Sequence, residues 1–172
     1  TLTLPANSEV TLSVLKEGYT PTPSPQLTGD QDVDELRTAL LDEQTSSLLA
    51  GVLGTEYPLV GGVVAISALF EPLRQDDNGI AGITFTSAGS APYYLNESGF
   101  PTYDIEATTK PDGAGGFVEL DSGVYEVVVG GAASNCEVAS AWPGSTDDSI
   151  RLPVADGFFT QAFIACDAVE AP

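Results

Sequence analysis

The sequence predicts a mainly β protein, an antiparallel β-sandwich with one helical segment near the N-terminus. Composition is the first observation: 18 Gly and 12 Pro in 172 residues, 42% of them hydrophobic, favour short strands and frequent turns. The segment 108–129, TTKPDGAGGFVELDSGVYEVVV, is the second, because two runs with a period of two flank the turn residues Asp121, Ser122 and Gly123. It reads as a β-hairpin, with Tyr125, Val127 and Val129 on one face of its second strand. Spacing is the third: apolar, β-branched runs recur from residue 60 onwards between clusters of Gly, Pro, Asn and Asp.

Taken in order, residues 1–14 read as strand, turn, strand. Leu2 and Leu4 precede the turn residues Pro5 to Ser8, and Val10, Leu12 and Val14 alternate with Glu9, Thr11 and Ser13. A lone hairpin cannot bury its apolar face, so it either packs on the main domain or is completed by another chain. Residues 18–25, GYTPTPSP, read as a proline-punctuated connector. The units expected are 1–29, a hairpin and connector left over from a related unit; 30–58, a helical segment; and 59–172, the sandwich.

The helical segment spans 30–54. Val33, Leu36, Leu40, Leu41, Leu48, Leu49 and Val52 recur at helical spacing, Asp30 or Asp32 can cap the start, and Gly51 or Gly54 can stop it. Thr45, Ser46 and Ser47 mark a point where the helix can break. The cluster Asp30, Asp32, Asp34 fails as a calcium loop, because Glu35 and Leu41 stand where that loop needs Gly and Glu.

Residues 60–70, VGGVVAISALF, form a near-continuous apolar run and read as a buried strand. A turn at 75–79 leads to a strand at 80–86, with Ile83 and Phe85 on one face. Tyr93, Tyr94, Phe100 and Tyr103 then crowd between Gly and Pro breakers. They either cover an open end of the sandwich or, with Trp142, form a platform for a sugar or protein ligand. Asn96-Glu97-Ser98 fits the N-glycosylation acceptor pattern. Residues 136–140, 149–155 and 158–166 are the closing strands, and Pro153 suggests that the middle one lies at an edge.

Cys136 and Cys166 flank predicted strands. They form either a disulfide between neighbouring strands or two buried thiols. A bridge closing a loop of roughly 30 residues would stabilise by about 3–4 kcal/mol and would place the chain outside a reducing cytosol. With no His in the chain, metal sites built on Cys and His, and Ser-His nucleophiles, have no support, so no cofactor and no catalysis are expected. A formal net charge of −20 repels nucleic acid and anionic membrane surfaces, and no apolar run is long enough to span a bilayer. The chain starts at Thr1 and contains no Met, so it reads as a mature or excised segment.

Residues 60–167 resemble the carboxypeptidase regulatory-like domain, a transthyretin-like β-sandwich of secreted and cell-surface proteins. The likeness rests on GGVVAISAL, on NGIAGITFT, and on the pattern Thr109, Asp112, Gly113, Phe117, Leu120, Gly123, Tyr125, Val127. Ala81 departs from that family's usual Pro, and an aromatic insertion at about 87–105 separates the second strand from the hairpin. The resemblance implies a transthyretin-like or immunoglobulin-like fold and an extracellular location, and it transfers no catalytic residue. The expected function is therefore structural: a secreted or surface module for assembly or adhesion, possible as a self-assembling fibre subunit. Its partners are expected to be copies of itself or neighbouring domains. The alternative is an accessory module that binds carbohydrate or protein.

Overall fold

The computed structural model describes residues 2–31, 40–70, 79–109, 113–132 and 136–166. Among the described residues there are twelve strands and one helix: β1 (Glu9–Val14), β2 (Thr22–Leu27), α1 (Glu43–Leu53), β3 (Gly62–Phe70), β4 (Ile83–Ser87), β5 (Tyr93–Leu95), β6 (Pro101–Thr102), β7 (Ala114–Leu120), β8 (Gly123–Gly131), β9 (Cys136–Ser140), β10 (Trp142–Pro143), β11 (Ser149–Val154) and β12 (Phe159–Cys166). The architecture is the expected mainly β one. A six-stranded sheet in the order β6-β5-β7-β3-β12-β9 faces a four-stranded sheet in the order β10-β11-β8-β4, and β1-β2 form a third, small sheet. All pairings are antiparallel except β3 with β12, which run parallel.

The core lies between the two larger sheets. Val64, Ile66 and Ala68 of β3, Phe117 of β7 and Ile164 of β12 meet Ile83 and Phe85 of β4, Val127 and Val129 of β8, and Ile150, Leu152 and Val154 of β11. The period-two reading of β4, β8 and β11 thus places their inward faces correctly. Each large side chain buried here contributes roughly 1.5–3 kcal/mol relative to exposure.

The segment 114–131 is not a hairpin. β7 pairs with β3 and β5 in one layer, whereas β8 pairs with β4 and β11 in the other. Asp121 and Ser122 therefore carry the chain across the sandwich. A bulge explains why period two misleads: the β3–β7 register slips between Gly62 and Val64, and Glu119 adopts φ 56°. That slip lets Phe117 and Leu120, three apart, both point into the core.

The N-terminal hairpin pairs β1 with β2, Glu9 opposite Leu27 and Val14 opposite Thr22. Leu2 and Leu4 are not in a strand, and the proline-punctuated stretch supplies the partner instead. Its prolines fit because their carbonyls point away from β1: Pro21 O accepts from Phe159 N (2.9 Å) and Pro25 O from the Ser140 hydroxyl (3.2 Å). Their missing N–H groups would have pointed the same way, so the β1–β2 ladder loses nothing. β2 lies beside the first half of β12, while β9 pairs with the second half.

Helix α1 starts later than expected. Asp42 is its cap, accepting from Thr45 N (2.9 Å), and those hydrogen bonds hold its carboxyl below the usual value. Gly54 (φ 76°) ends it, as the sequence suggests. Thr45 to Ser47 sit inside the first turns without a break, and Ser46 and Ala50 face inward while Leu48 and Val52 are exposed. Asp30, one of the two expected caps, lies in a bend and starts no described helix, while the other, Asp32, with the rest of the expected first turns to 39 and the turn residues 75–78, lies outside the described residues.

Candidate functional site

The aromatic residues singled out in the sequence are spread over the fold. Tyr93 and Tyr94 are consecutive in β5 and therefore point to opposite faces of the six-stranded sheet. Tyr94 enters the core, stacking on Phe85 with ring centroids 5.9 Å apart and donating towards the β4 backbone, where its hydroxyl also accepts from Phe85 N (2.9 Å). Tyr93 is buried on the outer face, where its hydroxyl donates to Val64 O (3.2 Å). Burial pushes both phenols up.

Two glycines explain this pair. Tyr93 lies opposite Gly116 and Tyr94 opposite Gly115, so each ring covers a position without a side chain. Phe100 and Tyr103 flank β6 and are exposed, at 54% and 47%. Trp142 sits in β10, where its indole N–H donates to Val10 O (3.1 Å) and ties the hairpin to the sandwich. Phe100 and Tyr103 thus remain available to a ligand, while Tyr93, Tyr94 and Trp142 have structural contacts of their own.

The hairpin is fastened by polar contacts as well. Arg151 pairs with Glu9 of β1, Gln26 donates to the Ser140 hydroxyl (2.9 Å), and Ser24 and Ser140 share a hydrogen bond (3.3 Å). Of the two arrangements open from sequence, packing on the main domain is the one present.

The sheet edges differ in how they are closed. The free side of β4 is covered: Phe85 N–H donates to Tyr94 and Ile83 N–H to the Thr108 hydroxyl (3.0 Å). β6 and β10 are two residues long and each contains a proline. β1 is six residues long, and among the described residues no strand pairs with its outer side. Thr28 N donates to Ser8 O (2.9 Å), which sets the phase of the ladder. Val10, Leu12 and Val14 therefore direct their backbone groups to β2, and Glu9, Thr11 and Ser13 direct theirs outwards.

One carboxylate has a strongly lowered pKa. Glu126 in β8 accepts from the Ser145 hydroxyl and backbone N–H (2.7 Å to N) and from the Ser149 hydroxyl (2.7 Å), and these bonds, Ser145 first, bring it down to about 2. It staples the loop between β10 and β11. No second carboxylate partners it for acid–base chemistry among the described residues, and no group of metal-ligating side chains occurs among them. Cys136 stands directly opposite Cys166 in the β9–β12 register.

A cavity of about 340 Å³ lies between α1 and the outer face of the six-stranded sheet. Sequence reading missed it, although a signal existed. A strand such as 60–70, apolar at odd and even positions alike, needs cover on both faces, and the four-stranded sheet covers only one. No helix among the described residues is long and apolar enough to cross a membrane. Comparison with family models, curated proteins and solved structures finds no match to this chain.

Proposed function

We propose that the chain is a non-catalytic β-sandwich module of a secreted or cell-surface protein, and that it assembles with copies of itself through the outer edge of β1. The observation that carries this reading is the open β1 edge, which offers the outward backbone groups of Glu9, Thr11 and Ser13 while the other face of the hairpin is anchored. Edge pairing of two β1 strands is a contact between like surfaces and closes as a dimer; pairing with a different edge continues into a filament. The net charge of −20 opposes either one at low ionic strength, so association should grow as salt screens it.

A Cys136–Cys166 bridge belongs to the same proposal. It is supported by their facing positions and by the lack of a free cysteine among the described residues. The resemblance to transthyretin-like surface domains supports the location. A second reading, an accessory module for carbohydrate or protein, is favoured by the exposed Phe100 and Tyr103 on either side of β6.

Sedimentation velocity of the native chain and of Thr11→Pro, across a salt series, tests the assembly reading. Proline at 11 removes an outward N–H and leaves the β1–β2 ladder intact. Salt-dependent association of the native chain that Thr11→Pro abolishes supports the edge. A native chain that stays monomeric at high salt and high concentration removes it. Tyrosine fluorescence against a glycan panel tests the second reading.

A further inference from the structure

The space beneath α1 is bounded by Leu49 and Leu53 of the helix, Val63 and Ala65 of β3, and Phe159 and Phe163 of β12. Its walls are overwhelmingly apolar, it measures about 340 Å³, and it is partly open to solvent. Ligand pockets begin at about 300 Å³ and are lined mostly by hydrophobic side chains. Each wall has anchoring contacts of its own. Asp42 and Gly54 cap the helix at its two ends, and the Thr20 hydroxyl donates to Ser46 (2.5 Å), fixing the helix to the start of the hairpin. On the sheet side Tyr93 is held by its bond to Val64 O.

We infer that this cavity is a binding site for a small apolar molecule that is neutral or carries a positive charge. The charge preference follows from the surroundings. No charged side chain of the described residues lines the space, and acidic groups bracket the wall: Asp42 and Glu43 where the helix starts, Glu56 just beyond its end. The whole chain carries 25 acidic and 5 basic residues, so an anionic amphiphile such as a fatty carboxylate meets repulsion at the mouth, whereas an alkylammonium does not. This site is independent of the β1 edge and of any self-association.

The test uses the full chain and the neutral probe N-phenyl-naphthylamine, whose fluorescence rises in apolar surroundings. Decyltrimethylammonium and decanoate serve as competitors. The native chain should bind the probe saturably. Ala65→Phe, which places a ring from the centre of β3 into the space, should weaken binding at least about tenfold. Ser67→Leu fills the same face more gently and covers the case in which Ala65→Phe does not fold, as judged by circular dichroism. The ammonium should displace the probe at lower concentration than the carboxylate. A native chain that gives no saturable signal overturns the inference, as does unchanged binding in a folded variant. Equal competition by decanoate overturns the charge preference.

Discussion

Gly116→Ala should destabilise the fold far more than an alanine in a strand ordinarily would. An added Cβ at 116 would collide with the Val64 carbonyl, lie 2.8 Å from the Val64 carbonyl carbon, and lie 3.0 Å from the Tyr93 hydroxyl. Two of these neighbours belong to the backbone of β3, which is held on its other side by β12, so relief requires moving β7 away or expelling Tyr93. Overpacking of this kind costs about 1–3 kcal/mol, and losing the buried Tyr93–Val64 hydrogen bond adds about 1 kcal/mol. Alanine restricts the unfolded chain and returns about 0.4–1 kcal/mol. The net loss is about 1–3.5 kcal/mol, a fall in Tm of roughly 2–14 °C for a chain of this size. Differential scanning calorimetry reads it directly. A Tm equal to or above that of the native chain would refute the assignment of Tyr93 as the cover of Gly116.

Gly51→Ala should do the opposite, because Gly51 is exposed within α1 with nothing within 4 Å of its added Cβ, so helix propensity raises stability by about 0.5–1 kcal/mol; thermal melts read the sign. Glu126→Gln should destabilise at neutral pH, and the pH dependence has a defined sign. The folded pKa lies at about 2, below the ordinary 4.5, so the carboxylate's contribution is present above 4.5 and is lost as pH falls towards 2. The gap in Tm between the native chain and Glu126→Gln should therefore narrow across that window, and a gap constant from pH 7 to pH 2 would contradict the role given to Ser145 and Ser149. If Cys136 and Cys166 are bridged, reduction should lower stability by up to about 3–4 kcal/mol in urea titrations; two free thiols found by mass spectrometry without reductant would exclude the bridge.

Most of the strands could be read from their own residues, and the places where reading failed share a cause. Ile83, Phe85, Val127, Val129, Ile150, Leu152 and Val154 alternate cleanly because each faces the core on one side only. Pro153 also signals its place: β10 reaches β11 only at Ile150 and Arg151, so Pro153 sits where that strand has no neighbour on one side. The segment 117–123 misled because period two and a Gly turn describe a hairpin and a crossing between layers equally well. What separates them is the bulge at Glu119, set by contacts with Gly61 and β3 that are distant in sequence. Residues 22–27 were hidden because proline argues against a strand, and only the side to which the carbonyls of Pro21 and Pro25 turn makes it tolerable. The aromatic cluster leaves cover and platform both open because Tyr93 and Tyr94 are polar-tipped; their burial depends on Gly116 and Gly115, twenty-three and twenty-one residues further on. The apolar run 60–70 signals that the outer face needs a cover, but that α1 supplies it depends on tertiary packing that no local pattern specifies.

Amide hydrogen exchange along β1, followed by NMR at low and high salt, tests the assembly account most directly. In the monomer the account predicts an alternation: the amides of Val10, Leu12 and Val14 protected by β2, those of Glu9, Thr11 and Ser13 exchanging fast, with the second set becoming protected as salt drives association. Uniform protection in the monomer, or outward amides that stay fast in an associated state, would contradict it.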